Sequence, residues 1–358
     1  MCTALRRRTS AILGLAATAA LSVFTAAATG ARHSTEVCFL LPGSDPSVRW
    51  EKFDHPAMDK ALRAAGLSYR IDNAQSDPAK QRSQADQCLA SGAKVLIIVP
   101  LDSGSASAIE REAKAKGVQS IDYDRQVEGG VASLYVSFDG HQAGVLEGSV
   151  GVVGALKKNG TYSRHPVVAE LNGGQQDPNS FLDKSGYDQV LGPLYRNGTF
   201  EKGPDEFVPE WNGERAGTIF EQMLVTTNGK IDAVLAANDG LANAVVTVLK
   251  AHKLKPIPLS GQDATVRGVQ NIISGWQTMT VFKDVRKLAA VAAQAAVQIV
   301  RGQTPEGTTV VQTRGRGPEP AILLKPQPIT RLNWRILIRD HFLKKTDVCS
   351  GQYARYCR

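Results

Sequence analysis

The chain predicts an α/β protein of two lobes, and three observations carry that expectation. Helices closed by a glycine alternate with short apolar strands about every 25 residues from Glu36 to Asp124. The run KVLIIVP is apolar almost throughout, as in a parallel strand covered on both faces. Strand-like runs then end in polar clusters: VQSIDYDR in Asp124-Arg125, IDAVLAAND in Asn238-Asp239, PIPLSGQD in Gln262-Asp263 and QTMTVFKD in Lys283-Asp284. Open parallel sheets bind ligands beyond the carboxyl ends of their strands, so these clusters point to one site.

The elements follow in order. In the first series, helices stop at Gly66, Gly92 and Gly117, where glycine takes the left-handed conformation cheaply, and lead into LSYRID, AKVLIIVP and VQSIDYD. Asp77-Pro78 places a capping side chain before a proline at the first helical position, and Ser103 or Ser105 caps the helix that holds Ile109 and Ala113. The second series reads strand VVAELNG, a helix over 179–191, helix FEQMLVTTNG and strand IDAVLAAND. It continues with helix LANAVVTVLKAHK, strand PIPLSGQD, helix VRGVQNIISG and strand QTMTVFKD. RKLAAVAAQAAVQIVRG is a strongly apolar helix with no partner in that series, so it is expected to return to the first lobe. Strands around 309–312 and 321–325 close the pattern. One continuous sheet of about ten strands is at the upper end of the usual range, which favours two lobes.

Composition narrows the class. A chain of 358 residues with 42% hydrophobic and 21% charged residues has enough apolar material for two cores. Residues 1–31 read as an export signal: Arg6-Arg7-Arg8 precede an Ala-rich apolar stretch, with cleavage expected after Ala28 or Ala31. Without those arginines the formal charge falls from +8 to +5, and ten Lys/Arg against three Asp/Glu crowd residues 312–358. This excess reads as a solvated basic tail, because no nucleic-acid reading motif accompanies it. Cys349 and Cys357 are expected to form a local disulfide in an exported protein, whereas Cys38 and Cys88 fit either a second bridge or two buried thiols. The six histidines are scattered without metal-ligand spacing, so no metal is expected.

The polar clusters suit vicinal hydroxyls. Arginine offers a rigid fork of donors and aspartate only acceptors, and each hydroxyl both donates and accepts. A surface ion pair is the ordinary fate of one such dipeptide, but a set of them at strand ends calls for a ligand. Trp50 and Trp211 stand in polar, loop-like surroundings, where a flat indole stacks on the C–H face of a sugar as readily as it packs. Hydrolase signatures such as Gly-x-Ser-x-Gly and His-Glu-x-x-His are absent, as is Walker A. The aspartates leave an exported glycoside hydrolase acting on small xylosides as the alternative to a receptor.

In order along the chain, SVRW, YDR, YVSFD, DPN, PEWNG, AND, SGQDA and TVFKD resemble the motif set of the type I periplasmic sugar-binding proteins of ABC transporters, in their ribose/xylose-binding class. The likeness runs from about Glu36 to near Gly351. It implies two Rossmann-like lobes joined by a multi-crossing hinge: residues 34–139 with 284–307, and residues 140–283 with 308–345, followed by a tail over 346–358. It also implies a monomeric receptor, exported to the cell envelope, periplasm or exterior, that needs no cofactor and delivers a monosaccharide, D-xylose first, to an ABC permease. Glucose, arabinose and galactose are the other candidates. By the same resemblance, Arg49 reaches the sugar and Trp50 and Trp211 sandwich it. Asp124 and Arg125 clamp hydroxyls from the first lobe, and Asp177, Asn179, Asn238, Asp263 and Lys283 supply the other polar contacts. Asp177-Pro178-Asn179 departs from the usual Asp-Asn-Asn, and Gly140 stands where Asn is common.

Overall fold

The computed structural model describes residues 35–43 and 49–357, so the expected export segment lies outside the described residues. The first half alternates β1 (Val37–Leu41), α1 (His55–Ala64), β2 (Tyr69–Asn73), α2 (Pro78–Ala90), β3 (Val95–Ile98), α3 (Ser103–Ala115), β4 (Gln119–Tyr123) and β5 (Leu134–Phe138). A π-helical turn over Trp50–Asp54 leads into α1. Gly66, Gly92 and Gly117 have φ of +70°, +87° and +74°, the left-handed stops that the sequence suggests. Asp77 caps α2. The cap of α3 is Asp102, not Ser103 or Ser105: its carboxylate accepts from Ser105 N at 2.8 Å, a stronger acceptor than a hydroxyl.

Beyond β5 the chain forms α4 (Gly140–Leu146), a π-helical stretch over Glu147–Gly154, α5 (Ala155–Lys158), β6 (Val167–Asn172), α6 (Pro178–Arg196), β7 (Glu201–Phe207) and α7 (Gly213–Thr226). It continues through β8 (Ala233–Ala236), α8 (Asp239–Ala251), α9 (Val266–Ser274), β9 (Met279–Phe282) and α10 (Val285–Val300). The last elements are β10 (Thr309–Thr313), β11 (Gly317–Leu324), β12 (Gln327–Thr330), α11 (Arg335–Arg339) and α12 (Lys345–Val348).

Among the described residues the first sheet has the order β10-β11-β5-β4-β3-β1-β2, parallel except for the β10–β11 hairpin. Alternation along each strand sorts its side chains between two cores. Val37, Phe39, Leu41, Val95 and Ile97 face α1 and α10, where Leu288 and the alanines of α10 permit close packing. Cys38, Leu40, Leu96 and Ile98 face α2 and α3, and Cys38 is bridged to Cys88 within that layer. The second half has β7-β6-β8 extended by single bridges, Val234 with Leu259 and Gln262 with Val281, towards the β9–β12 pair. PIPLSGQD, expected as a full strand, therefore joins through isolated bridges at Leu259 and Gln262 and not through a continuous ladder. α7 and α8 cover one face through Phe220, Met223, Leu241 and Val245. Tyr187 and Leu191 of α6 cover the other.

Two expected boundaries are corrected. Residues 309–324 belong with the first sheet, not the second lobe, because β11 pairs in parallel with β5, Ala321 opposite Tyr135 through Leu324 opposite Phe138. The terminal segment is docked, not a free tail. Val348 and Tyr353 are buried beside Phe342 and Leu343, Gln270 donates to the Asp347 and Val348 carbonyls, and Cys349 is bridged to Cys357. The path from β5 into α4 runs against α6 through glycines: a Cβ on Gly144 would collide with the Asp183 carbonyl, and one on Gly186 with that of His141. Among the described residues no helix is long and apolar enough to cross a membrane.

The two disulfides close loops of 50 and 8 residues. Loop-closure entropy assigns about 4 kcal/mol to the first and about 2.5 kcal/mol to the second. Urea titration of Cys38→Ala/Cys88→Ala and of Cys349→Ala/Cys357→Ala should show the larger loss for the first pair. The reverse order would show that loop length does not set their contribution.

Candidate functional site

The carboxyl ends of the parallel strands meet at one cavity of about 380 Å³. The first half contributes Arg49, Trp50, Asp124 and Arg125 to its lining. From the second half come Asp177, Asn179, Trp211, Asn238, Asp263 and Lys283. The ten residues that the resemblance assigns to the sugar thus line one space, whereas Asp239 and Asp284 of the polar clusters do not line it. Asn243, Gln262 and Thr265 line it too. Gln262 was legible as the neighbour of Asp263, whereas Asn243 sits one turn into α8, where only the helix's orientation brings it to the cavity.

Arg49 is the centre of the charge network. Its Nε and Nη2 donate to the Asp54 carboxylate at 3.0 and 3.1 Å, and Nη2 also donates to Asp124 Oδ1 at 2.8 Å. Asp54 is fully buried and accepts from Tyr123 Oη at 2.9 Å. Burial pushes the Asp54 carboxyl up even against the Arg49 pair. Asp124 goes the other way: burial raises it, but Arg49, Lys283 and Arg125 together hold it below the usual carboxylate range. It therefore stands as an ionised acceptor at the cavity wall. Lys283 lies 3.4 Å from Asp263 Oδ1; burial disfavours its charge, but Asp263 and Asp124 more than compensate and raise it.

Backbone strain marks the same residues. Asp124, Trp211 and Asp263 have φ of +68°, +56° and +92°, uncommon for side chains other than glycine. The surroundings over-determine Asp124: its N donates to Val136 O, and its carbonyl accepts from Ser137 Oγ, Asn179 Nδ2 and Tyr135 Oη. Asn179 sits at the start of α6, where Asp177 is the N-cap and Pro178 takes the first helical position. The proline therefore costs no helical hydrogen bond. Arg125 Nε lies 2.9 Å from Asp177 Oδ2, so an ion pair and the Asn179–Asp124 bond join the two halves across the cleft.

The tryptophans differ from one another. Trp50 is not in a loop: it opens the π-helical turn and is only 2% exposed. The Arg49 guanidinium lies 4.2 Å from its ring centroid and that of Arg125 5.5 Å, so cations already cover much of the indole. Trp211 is half-buried on a short 3-10 turn and packs over Gly173, where a Cβ would strike the ring. Its Nε1 is buried without a hydrogen-bond partner.

Behind the cavity lies a second acidic group. Asp239 opens α8, accepts from Thr265 N, Thr265 Oγ1 and Gln277 Nε2, and is pushed up to about 7 by burial. Burial also pushes Asp183 up to about 8, with Gln262 Nε2 3.4 Å away, and raises Glu147 well above its ordinary value. Asp284 caps α10 and pairs with Arg286. Among the described residues no cluster of His, Cys, Asp and Glu has the arrangement of a metal site.

Comparison with known proteins agrees in length and in fold. The family model for the periplasmic binding protein domain matches residues 37–304. The D-xylose-binding periplasmic protein of Escherichia coli is 32% identical over 321 residues, 89% of this chain and 94% of that protein. The multiple sugar-binding periplasmic receptor ChvE of Rhizobium radiobacter is 32% identical over 354 residues, 93% of this chain and 98% of that one. Among solved structures, an ABC transporter solute-binding protein of Clostridium phytofermentans with bound β-D-glucose superposes with a TM-score of 0.80 at 26% identity. The match covers 88% of this chain and all of that one. A carbohydrate transporter solute-binding protein of Chloroflexus aurantiacus in complex with D-glucose gives 0.78 at 30% identity, covering 87% and 98%.

The raised carboxyl of Asp183 makes a pH prediction. Its folded value of about 8 exceeds the unfolded value of about 3.9. The stability linked to its proton is therefore complete below about pH 4 and is lost as pH rises towards and through 8. Denaturant midpoints between pH 6 and 9 should fall with pH in the parent protein, and Asp183→Asn should flatten that fall. An unchanged slope in the variant would remove Asp183 as its source.

Proposed function

Because the chain belongs to the periplasmic binding protein family, we propose that it is an exported receptor that closes around one monosaccharide, D-xylose first, and presents it to an ABC permease. The observation that carries this reading is the cavity itself: charged and amide side chains from both halves converge on it beside two indoles. A sugar loses water from every hydroxyl when it is enclosed, and each hydroxyl left unpaired weakens the complex. Asp124, Asp263 and Asn238 supply acceptors, Arg125, Lys283 and Asn179 supply donors, and charged partners give the stronger bonds. Trp211 in the lining offers a ring to the C–H face of the sugar.

Contacts from both halves favour the closed state over an open one, which is how a ligand shifts a hinge equilibrium. A permease that distinguishes closed from open receptors then reads occupancy. Monomeric action and the hinge between the two sheets belong to the same reading. So does export directed by residues 1–31, which accords with relatives named as periplasmic. Binding without catalysis fits the charge pattern. The carboxyls raised towards general-acid range, Asp183 and Asp239, are absent from the cavity lining, while Asp124 in the lining is held ionised. Glucose is the second candidate, favoured by the two glucose complexes at 26% and 30% identity.

Calorimetric titration with xylose, arabinose, glucose and galactose tests the ligand. Xylose should bind most tightly, with a Kd far below 1 mM, the level that corresponds to about −4 kcal/mol. A tighter hexose would replace it as the named ligand. Trp211→Ala should weaken binding about tenfold or more, about 1.4 kcal/mol, through loss of one ring face while the protein stays folded; unchanged affinity would take Trp211 out of the site. Turnover of aryl xylosides would favour the hydrolase alternative, and none is expected.

A further inference from the structure

A second cavity, of about 530 Å³, adjoins the first, and Trp50, Arg125 and Trp211 line both. Its own walls come from both halves. Gln75 and Asp102 stand on the loops after β2 and β3, and Gln176 and Glu210 on the loops after β6 and β7. These too follow the carboxyl ends of parallel strands: β3 and β2 flank β1 in the first sheet, and the loops after β6 and β7 also carry Asp177 and Trp211 of the inner cavity. Gln75, Asp102, Gln176 and Glu210 are absent from the lining of the inner cavity.

Its chemistry suits a sugar. Two carboxylates and the amides of Gln75, Gln176 and Asn212 offer acceptors and donors, and Leu101 and Pro78 add an apolar patch for a C–H face. The rim is also strained: Gln75, Ser76 and Glu210 have φ of +55°, +64° and +58°, beside Trp211 at +56°. Left-handed conformations at residues other than glycine persist where the surroundings hold them, and they gather at ligand clamps. Asp102 and Glu210 set two negative charges against the single positive charge of Arg125, which disfavours an acidic ring and leaves a neutral one.

On the reading that the inner cavity holds a monosaccharide, we propose that the outer cavity is a second subsite for a neutral sugar ring, so that the receptor also captures neutral disaccharides. The inner ring occupies the clamp of Asp124, Arg125, Asp263 and Lys283. The outer ring lies between Gln75 and Asp102 on one side and Gln176 and Glu210 on the other.

Calorimetry on the full mature chain tests this with xylose, glucose, β-1,4-xylobiose and cellobiose. At least one disaccharide should bind within about tenfold of its monosaccharide. Leu101→Trp fills the outer cavity, and Gln176→Ala removes one of its amides. Each should weaken that disaccharide about tenfold or more and leave the monosaccharide within about twofold, which also shows that the variant is folded. If the monosaccharides bind and neither disaccharide does, the outer subsite is overturned and the monosaccharide reading stands. Equal weakening of both ligand classes by Leu101→Trp would overturn it as well. If no monosaccharide binds, the underlying reading falls and takes this proposal with it.

Discussion

The cavity wall depends on the pairing of buried charge around Arg49. A guanidinium removed from water is costly unless carboxylates meet it, and breaking a buried pair by deleting one partner costs about 3–5 kcal/mol. Arg49 meets Asp54 on its own element and Asp124 at the end of β4. Tyr123 fixes Asp54 from below, and the strained backbone of Asp124 is held by Ser137, Tyr135 and, from the other half, Asn179. The geometry at the cavity wall is thus set by residues beneath it.

Charge is sorted by depth. Carboxylates at the wall have cationic neighbours and serve as acceptors, as Asp124 beside Arg49 and Asp177 beside Arg125 show. Those further back, Glu147, Asp183 and Asp239, are pushed up by burial, and the last two meet amide and hydroxyl donors from Gln262, Gln277 and Thr265. Glycine governs the approach of the halves: Gly144 and Gly186 let α4 and α6 pass backbone to backbone, and Gly173 seats the Trp211 ring. The Arg125–Asp177 ion pair joins the two halves at the cavity wall.

Much of this was legible along the chain because it is local. Alternation of apolar residues marks β1 and β3, glycine marks the helix ends, and a polar cluster at a strand's carboxyl end marks the site. β7 was not legible: EKGPDEF is polar and carries a proline, as an edge strand tolerates when little of it is buried. Trp50 read as a loop residue because its neighbours are polar, although the helical turn and Arg49 enclose it.

The sequence by itself determined the α/β class, the glycine stops and the cap of α2, the family resemblance and the ten residues that converge on the inner cavity. Tertiary structure alone decided that β10 and β11 join the first sheet, that Cys38 and Cys88 are bridged, that the terminal segment docks on α9 and that Asn243 reaches the cavity. The physical reason is range. Caps, stops and amphipathic periods arise from residues within a few positions of one another. Sheet membership, disulfide pairing and docking depend on which surfaces meet after the chain has folded back on itself.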